Sequence, residues 1–275
     1  KEFCNLEISA YIPCFNNSKT ILEASLSIID QSYPVSEFFV IDDGSTDNSV
    51  RILQEAGITV YKNYTNMGRG HTRNLAVKIA KYPMLLCCDA TNGLEIDFVL
   101  KSIEYFKNEK VASISGRLIN KDCTCAKDRW RARHLFKEDV NFSPGPEVTN
   151  LLITYGTLMR KDAINKVGNF NSSLIRCEDL DLGKRLISHG YTLLGHTDVY
   201  IHSLISNNIV KLYERYWRWY YSDTQQISIN QCWSSIKNSL NPMAVTDLKN
   251  GDLSCAFISV LLPYYCFYKS LKNKK

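Results

Sequence analysis

Apolar and polar residues alternate in blocks over the first 90 residues of the chain. Four short runs are almost wholly apolar, as is typical of strands covered on both faces of a sheet: LEISAYIPCFN, FFVID, ITVYKN and MLLCCDA. Helical spacing of apolar residues follows between them, as in SKTILEASLSIIDQS, where Ser18 is the predicted N-cap and the apolar residues are Ile21, Leu22, Leu26 and Ile29. Strands that alternate with helices predict βαβ units and a parallel sheet.

The pattern changes after residue 110. VASISGRLI predicts a further strand, and the polar, basic and aromatic residues 120–150 predict a long loop or short helices of the kind that often faces a substrate. ITYGTLMRKDAINKVGNF predicts a strand and a helix, and EDLDLGKRLISHG another helix. The chain closes with a predicted aromatic-rich helix over 208–230 and an apolar segment over 253–268.

Composition places the chain among ordinary globular proteins. It has 275 residues, of which 45% are hydrophobic and 22% charged, and this length fits one large domain, or one domain with an appendage. The net charge of +5 is modest and no nucleic-acid-binding motif is present, so we expect no nucleic-acid partner. The ten cysteines show no zinc-binding spacing, and KEFCNLEISAYIPCF lacks a signal-peptide pattern, which predicts reduced thiols in a cytoplasmic protein.

Polar residues stand where the predicted strands end. The first strand ends at Pro13, the second at Asp42 and Asp43, and the fourth at Asp89. Because parallel strands share their carboxyl edge, these groups are expected to converge on one ligand there, near the helix start NMGRGHTRN that contains Arg73. The alternative for FVIDDGSTDNSV is a plain turn followed by a Ser or Thr helix cap.

Five segments taken together resemble the successive signatures of family 2 glycosyltransferases: ISAYIPCFNN, FVIDDGSTDNS, NMGRGHTRN, DATNG and EDLDLGKRL. The resemblance covers roughly residues 6–205. It implies an α/β fold of the GT-A (Rossmann-like) type, with a mostly parallel sheet flanked by helices and a helical C-terminal extension. We expect the domain over 1–205, with a nucleotide-sugar half at about 1–110 and an acceptor half at about 111–205, followed by the extension over 206–275.

The resemblance also implies an activity and its residues. Such enzymes transfer a sugar from a nucleotide-sugar donor to an acceptor with inversion at the anomeric carbon. Asp179 would be the general base, beside Glu178 on the acceptor side. The donor-binding residues would be Pro13, Asp42, Asp43, Arg73, Asp89 and Ala90, with Arg73 facing the nucleotide or its phosphates. A sugar-1-phosphate nucleotidyltransferase is excluded, because the first strand is followed by Pro13-Cys14-Phe15-Asn16 and not by a glycine-rich loop.

The segment that matches the D-x-D element reads Asp89-Ala90-Thr91, so threonine replaces the second acid. In the family that acid usually binds Mg²⁺ or Mn²⁺, and a hydroxyl is a weaker ligand for a hard cation. Three alternatives stay open: a divalent metal held by Asp89 and His202, a metal-free site that uses basic residues, or a catalytically silent protein. The last would be a nucleotide-sugar-binding scaffold of a glycan assembly complex.

Two further segments suggest partners. DRWRARHLFK, residues 128–137, is either an acceptor-facing element, with Trp130 and Arg131 as contacts, or a basic surface helix. Residues 253–275 are apolar and lysine-rich, and their apolar run is shorter than a helix needs to span a bilayer. They predict peripheral contact with an anionic membrane. The alternative is a helix docked on the domain. With a glycan or lipid-linked acceptor, the expected location is the cytoplasmic side of the inner membrane.

Overall fold

The computed structural model describes residues 6–174, 177–221 and 229–272. Its chain divides into two compact units: Lys1–Leu118 with Phe142–Ile205, and Ile119–Asn141 with Ser206–Lys275. Within these ranges, nine strands form a single sheet: β1 (Ile8–Cys14), β2 (Glu37–Asp42), β3 (Val60–Lys62), β4 (Met84–Cys88), β5 (Asn92–Leu94), β6 (Val111–Asn120), β7 (Pro146–Thr149), β8 (Gly156–Arg160) and β9 (Thr192–Ser203).

The sheet has a parallel part and an antiparallel part. Its order is β3-β2-β1-β4-β8-β6-β9-β5, with β7 paired to β9. The predicted βαβ alternation gives parallel pairing of β1 with β2 and β4, and of β2 with β3. Beyond β4 the strands β8 and β6 pair antiparallel, as do β5 and β7 with β9. The predicted α/β fold is thus confirmed, as a mixed sheet.

Helices accompany the sheet in the first unit: α1 (Ile21–Ile29), α2 (Ser49–Glu55), α3 (Arg69–Ile79), α4 (Phe98–Ile103), α6 (Lys161–Lys166) and α7 (Glu178–Ser188). A 3-10 turn, Glu104–Lys107, follows α4. Both β1 and β4 are buried nearly throughout. This explains why their sequences are continuous apolar runs and do not alternate.

The four apolar residues at helical spacing that predicted α1 do not share one buried face. Ile21 is buried, but Leu22, Leu26 and Ile29 are exposed. The inner face combines Ile21 and Ile28 with the small residues Ala24 and Ser25, which allow α1 to pack closely against β5. The helix also begins later than predicted, with Thr20 and not Ser18 as its N-cap, and without a side-chain capping bond.

The second unit is helical. It contains α5 (Ala126–Arg131), α8 (Ile209–Tyr221), α9 (Ile229–Asn238), α10 (Val245–Lys249) and α11 (Leu253–Lys272), with π-helical turns at Ala132–Phe136 and Ser239–Ala244. The predicted helix over 208–230 is described as α8 and the start of α9, and residues 222–228 lie outside the described residues. Residues 119–141 belong with the C-terminal helices in this unit, and the division of the chain at residue 205 stays a prediction.

Trp130 is the centre of the second unit. Its side chain is 0% exposed, and its indole Nε1 donates a hydrogen bond of 2.8 Å to Ser259 Oγ. The rings of Tyr213 and Tyr216 lie 6.4 and 6.2 Å from it. Helix α11 is therefore docked through Ser259, as the alternative for the C-terminal segment predicted.

A buried carboxylate adds to this docking. Asp247 is fully buried and accepts hydrogen bonds from Ser259 Oγ at 2.6 Å and from His134 Nε2 at 2.8 Å, and it also pairs with Arg133. Burial raises the pKa of Asp247, but the bonds from His134, Ser259 and Arg133 outweigh this and lower it overall. None of the described helices combines the length and the apolarity that crossing a bilayer requires.

Candidate active site

Asp42 ends β2 at the carboxyl edge of the parallel strands and is 2% exposed. Its Oδ2 accepts the backbone N–H of Ser45 at 3.1 Å. Its Oδ1 is buried and has no hydrogen-bond partner among the described residues. A buried acceptor without a donor costs free energy, so this oxygen is suited to an N–H or O–H group of a ligand.

The neighbouring Asp43 has a different role. Its Oδ1 accepts hydrogen bonds from Asn63 Nδ2 at 2.8 Å and from Met67 N at 2.9 Å, and its Oδ2 accepts one from Gly68 N at 2.9 Å. The backbone N–H groups of Met67 and Gly68, just before α3, are thus already held by Asp43. We conclude that Asp43 anchors the loop before α3.

Gly44 makes this anchoring sterically feasible. It has φ +80°, and a Cβ added there would lie 2.8 Å from the backbone carbon of Thr65. No L side chain fits that approach. The glycine after the two aspartates is therefore required by the close contact between the 43–45 turn and the 63–68 loop.

Arg73 is the link between distant parts of the site. Its side chain, on α3, is buried, with 1% of the residue exposed. Its Nη2 donates to Asp89 Oδ1 at 2.8 Å, and its Nη1 pairs with Glu178. We call this arrangement of Asp89, Arg73 and Glu178 the Arg73 bridge. Burial tends to lower the pKa of Arg73, but the attraction of Cys87, Asp89 and Glu178 raises it well above its usual value. Both terminal nitrogens of Arg73 bind carboxylates, and its predicted contact with the donor nucleotide or its phosphates stays a prediction.

A buried polar floor lies beside this bridge. The pKa of Tyr11 is raised by burial first and then by Cys87, and its hydroxyl has no hydrogen-bond partner within the part of the chain that the structure describes. Burial also raises the pKa of Cys87 to about 11, so its thiol is neutral at pH 7 and donates to Thr154 O at 3.1 Å. The side chains of Tyr11 and Cys87 beside Arg73 are thus neutral at pH 7.

Asp89 follows β4, and its side chain is partly exposed, unlike that of Arg73. The backbone after it is fixed from several sides: Ala90 O accepts the hydroxyl of Thr20 at 2.7 Å, and Thr91 O accepts Leu204 N at 2.9 Å. Ala90 is buried and Thr91 half-buried. The Asp89-Ala90-Thr91 segment is therefore rigid, and its charged group is the carboxylate of Asp89.

Glu178 and Asp179 begin α7 and point to different surroundings. Glu178 is buried against Arg73, whereas Asp179 is half-buried. Asp179 Oδ1 accepts the N–H of Leu180 at 2.9 Å, and its Oδ2 accepts the Thr154 hydroxyl at 3.3 Å. The preceding Cys177 has left-handed backbone angles, φ 60° and ψ 20°, a costly conformation for a non-glycine residue and frequent at functional sites.

The other predicted site residues lie on β1, on β9 and in the second unit. Pro13 is half-buried in β1, in register with Ile41 of β2. His202 is half-buried in β9 opposite Gly93. Trp130 and Arg131 are buried inside the second unit, where Arg131 Nε bonds Asn120 Oδ1 at 2.6 Å. Both side chains pack inside this unit, and their acceptor role stays a prediction.

The residues fit a resident metal poorly. Among the described residues, no group of three or more His, Cys, Asp or Glu side chains is arranged to hold an ion. Asp89 already shares one oxygen with Arg73, and Thr91 provides no charge. A metal ion at this place would need most of its ligands from a bound molecule, so no preformed metal centre is assigned.

Sequence reasoning missed Thr154 and Gly70. Thr154 is buried and contacts both Cys87 and Asp179, but it lies in an apolar stretch without a motif. A Cβ at Gly70 would lie 2.5 Å from Asn171 O and 2.7 Å from Leu174 O. The glycine in NMGRG thus allows α3 to pack directly on the backbone that leads to α7. Repeated glycine in that signature was the available signal for this contact.

The sequence model described as Glycosyl transferase family 2 matches residues 9–168, and the chain belongs to this family. It is similar to the poly-beta-1,6-N-acetyl-D-glucosamine synthase of Staphylococcus epidermidis, 26% identical over 242 residues, which cover 84% of this chain and 57% of that protein. The synthase of Staphylococcus aureus (strain COL) is 23% identical over 246 residues, covering 86% and 59%. The chain therefore spans less than two thirds of the length of these relatives.

Solved structures show the same fold. The mannosyltransferase PcManGT from Pyrobaculum calidifontis, in complex with GDP-Man and Mn²⁺, superposes with a TM-score of 0.63 at 13% identity, over 98% of this chain and 87% of that one. S. aureus TarS gives a TM-score of 0.58 at 16% identity, over 98% and 54%. At these identities the likeness establishes the fold, which is that of GT-A glycosyltransferases as the sequence predicted.

Proposed function

We propose that the chain is an inverting glycosyltransferase that moves a sugar from a nucleotide-sugar donor to a glycan or lipid-linked acceptor. The Arg73 bridge carries the proposal. It joins Asp89, 16 residues away, to Glu178, 105 residues away, in one buried cluster. Two signatures of the family thereby meet at the carboxyl edge of the parallel strands, where α/β folds bind ligands.

Asp179 is the proposed general base. Its Oδ1 is fixed by the Leu180 N–H and its Oδ2 by the Thr154 hydroxyl, and its partial exposure admits an acceptor hydroxyl. The proton of that hydroxyl passes to the Asp179 carboxylate as the acceptor oxygen bonds the anomeric carbon. The bond from that carbon to the diphosphate oxygen breaks on the opposite face, and its electron pair leaves with the nucleoside diphosphate. Attack from the opposite face inverts the centre.

Donor binding is proposed for Asp42, Pro13, Asp89 and Ala90. The unpaired Oδ1 of Asp42 is suited to a base N–H or a ribose hydroxyl. Asp43 is proposed to act on the donor through the loop it anchors. The different roles of the two adjacent aspartates can be tested, because Asp43 accepts three hydrogen bonds. Oδ1 of Asp42 accepts none from the described residues.

Asp42→Asn should weaken binding of the best nucleoside diphosphate by about ten- to a hundredfold, since it puts an N–H donor where an acceptor is needed and a hydrogen bond to a charged group contributes about 1.5–3 kcal/mol. Asp43→Asn should instead lower the free energy of unfolding by about 1–3 kcal/mol, because it replaces an acceptor by a donor. Calorimetric binding and denaturant unfolding of both variants measure the two effects. Equal losses of binding without loss of stability would contradict the assignment.

A divalent cation, Mn²⁺ or Mg²⁺, is proposed as a cofactor that arrives with the donor. The solved complexes of PcManGT with GDP-Man and of GalNAc-T7 with UDP both contain Mn²⁺. In this chain the carboxylates of Asp42, Asp89 and Asp179 make the described site acidic, so a diphosphate needs added positive charge there. A bound cation would offset the charge on the leaving diphosphate, with Asp89 and His202 as its proposed protein ligands.

Thr91→Asp should tighten Mn²⁺ binding in the presence of a nucleoside diphosphate at least tenfold, about 1.4 kcal/mol, because it adds a charged oxygen ligand. Without the nucleotide, the wild-type chain should bind Mn²⁺ weakly and prefer it to Mg²⁺, which accepts imidazole less readily. Titrations of both proteins, with and without nucleotide, give the four affinities. The same affinity in both proteins would show that position 91 does not face the ion.

The experiment that tests the function starts with a thermal-shift screen across UDP, GDP, dTDP and CDP sugars, followed by release of the nucleoside diphosphate from the best donor with and without EDTA. Transfer or hydrolysis that EDTA stops supports a metal-assisted enzyme. Threonine at position 91 also suits a silent nucleotide-sugar-binding scaffold. Donor binding with no turnover under either condition would favour that second function.

We further propose that the chain contacts the inner membrane surface from the cytoplasmic side through residues 253–275. Family relatives named as synthases of a polysaccharide agree with an acceptor at the cell envelope. Lys274 and Lys275, which contributed to this prediction, lie outside the described residues. The described part of the segment is α11.

A further inference from the structure

Helix α11 is apolar on two opposite faces. Its inner face, which includes Ala256, Ser259 and Cys266, is buried in the second unit. Bulky apolar residues at helical spacing form an outer stripe, exposed to solvent: Leu253, Phe257, Val260, Tyr264, Phe267 and Leu271. Phe257 is 64% and Tyr264 71% exposed. A helix that only needs to dock on a core has polar residues on its outer side, so this stripe indicates a second contact.

A cavity lies at the stripe. It has a volume of about 280 Å³, close to the smaller ligand pockets of proteins. Val260, Tyr264 and Phe267 of the outer stripe form one wall, and Cys232, Ile236 and Leu240 of α9 and the following π-helical turn form another. The lining, which also includes Ser239 and Pro263, is mostly hydrocarbon. The chemistry suits an alkyl chain and offers little to a polar ligand.

The surroundings of the cavity match a lipid interface. Trp233, next to Cys232, is 68% exposed, and Tyr264 and Tyr268 are exposed on α11. Tryptophan and tyrosine are the residues enriched at the boundary between hydrocarbon and water. Lys237 and Lys272 are exposed at the ends of α9 and α11, where cations can meet lipid headgroups.

The charge of the chain is concentrated in the same unit. Residues 119–141 and 206–275 contain 15 Lys and Arg against 8 Asp and Glu, whereas the rest of the chain has 18 against 20. The second unit is therefore basic and the first slightly acidic. A basic unit with an exposed aromatic stripe is attracted to an anionic bilayer by both charge and apolar burial.

We propose that the outer stripe of α11 lies in the interface of an anionic lipid bilayer and that the cavity beside it takes one hydrocarbon chain of a lipid in that bilayer. The inference deepens the membrane contact proposed above and rests on it. It is independent of the transfer reaction, because its observations come from the second unit alone. Failure of the tests below would leave the proposed sugar transfer untouched.

Substitutions on the outer face are the suitable probes. Deletion of residues 253–275 would remove Ser259, which bonds both Trp130 and Asp247 in the core of the unit, and would unfold it. Phe257→Ser with Tyr264→Ser changes the stripe and keeps the inner face. Leu22→Ser with Leu26→Ser is a matched control, because both leucines are exposed on α1 of the first unit.

Co-sedimentation of the full chain with phosphatidylcholine vesicles, with and without phosphatidylglycerol, measures the first part. We expect binding to the anionic vesicles and a loss of at least tenfold in the partition coefficient for Phe257→Ser/Tyr264→Ser, with its thermal unfolding retained. The Leu22→Ser/Leu26→Ser control should bind like the wild type. Equal partition of all three proteins would overturn the proposal, and so would a wild type that forms a dimer through the stripe and ignores the vesicles.

Quenching of Trp233 by lipids brominated on the acyl chain measures the second part. The difference between wild type and Trp233→Phe isolates this indole from the other three. Val260→Phe fills the cavity but keeps the stripe apolar, so at equal bound fraction it should reduce quenching of Trp233 at least twofold while partition is retained. Unchanged quenching in Val260→Phe would show that no chain enters the cavity and would reject the site.

Discussion

Asp179→Asn should abolish sugar transfer, with a fall in kcat of about 10²–10⁴-fold, the usual contribution of a general base. The amide is isosteric: its oxygen can still accept the Leu180 N–H, and its NH2 group can donate to the Thr154 hydroxyl oxygen. It cannot take up the acceptor proton. The barrier should rise by about 3–5 kcal/mol, at 1.36 kcal/mol for each tenfold loss. Single-turnover transfer with the preferred donor measures the loss.

Folding and donor binding should stay intact in this variant. Asp181→Asn is its matched control: the residue lies on the same helix and pairs with Arg185 at 2.6 Å, away from the Arg73 bridge. It removes the same charge from the start of α7 and should leave transfer within twofold. If Asp179→Asn keeps transfer within tenfold of the wild type, or if the control loses as much, Asp179 is not the base.

Arg73→Met should cause the largest combined loss. It leaves the buried carboxylate of Glu178 without its partner, and removing one member of a buried ion pair costs about 3–5 kcal/mol. We expect a fall of that size in the free energy of unfolding and loss of transfer, because Asp89 and α7 are no longer held together. Denaturant unfolding and transfer assays on the same preparations measure both.

The double variant Arg73→Met/Glu178→Gln separates charge from positioning. Neutralising the stranded carboxylate should restore more than half of the lost stability, but transfer should stay low because Asp89 is still unheld. Arg73→Lys should recover stability better than transfer, since an ammonium cannot present the two terminal nitrogens that bind two carboxylates. A double variant with wild-type transfer would show that Arg73 does not position the site.

The strand edge was predictable because buried parallel strands have continuous apolar sequences. Asp42, Asp43 and Asp89 follow such runs, and the structure places each at the end of its strand. The inner face of α1 was not predictable, because that helix is apolar on both sides and the tight approach to β5 selects Ala24 over Leu26. The helical spacing of apolar residues alone does not show which of two apolar faces is buried.

The partners of charged residues also could not be predicted from the sequence. In the sequence alone, Arg73 is compatible with a phosphate-binding role. In the structure its side chain is buried and pairs with Glu178, 105 residues away. The composition of DRWRARHLFK is typical of a basic surface segment, but Trp130 and Arg131 are buried in the second unit. There Trp130 donates a hydrogen bond to Ser259, and Arg131 donates one to Asn120. Only the tertiary contacts show whether an arginine serves a ligand or the fold.

Inverting transfer is tested by the anomeric form of the first product. Proton NMR of the full chain with an α-linked nucleotide sugar, followed from the first turnovers with water or a short glycan as acceptor, distinguishes the two anomers before they interconvert. We expect the β-anomer to form first and Asp179→Asn to prevent its formation. An α-anomer as the first product, or its appearance at an unchanged rate in Asp179→Asn, would contradict this expectation.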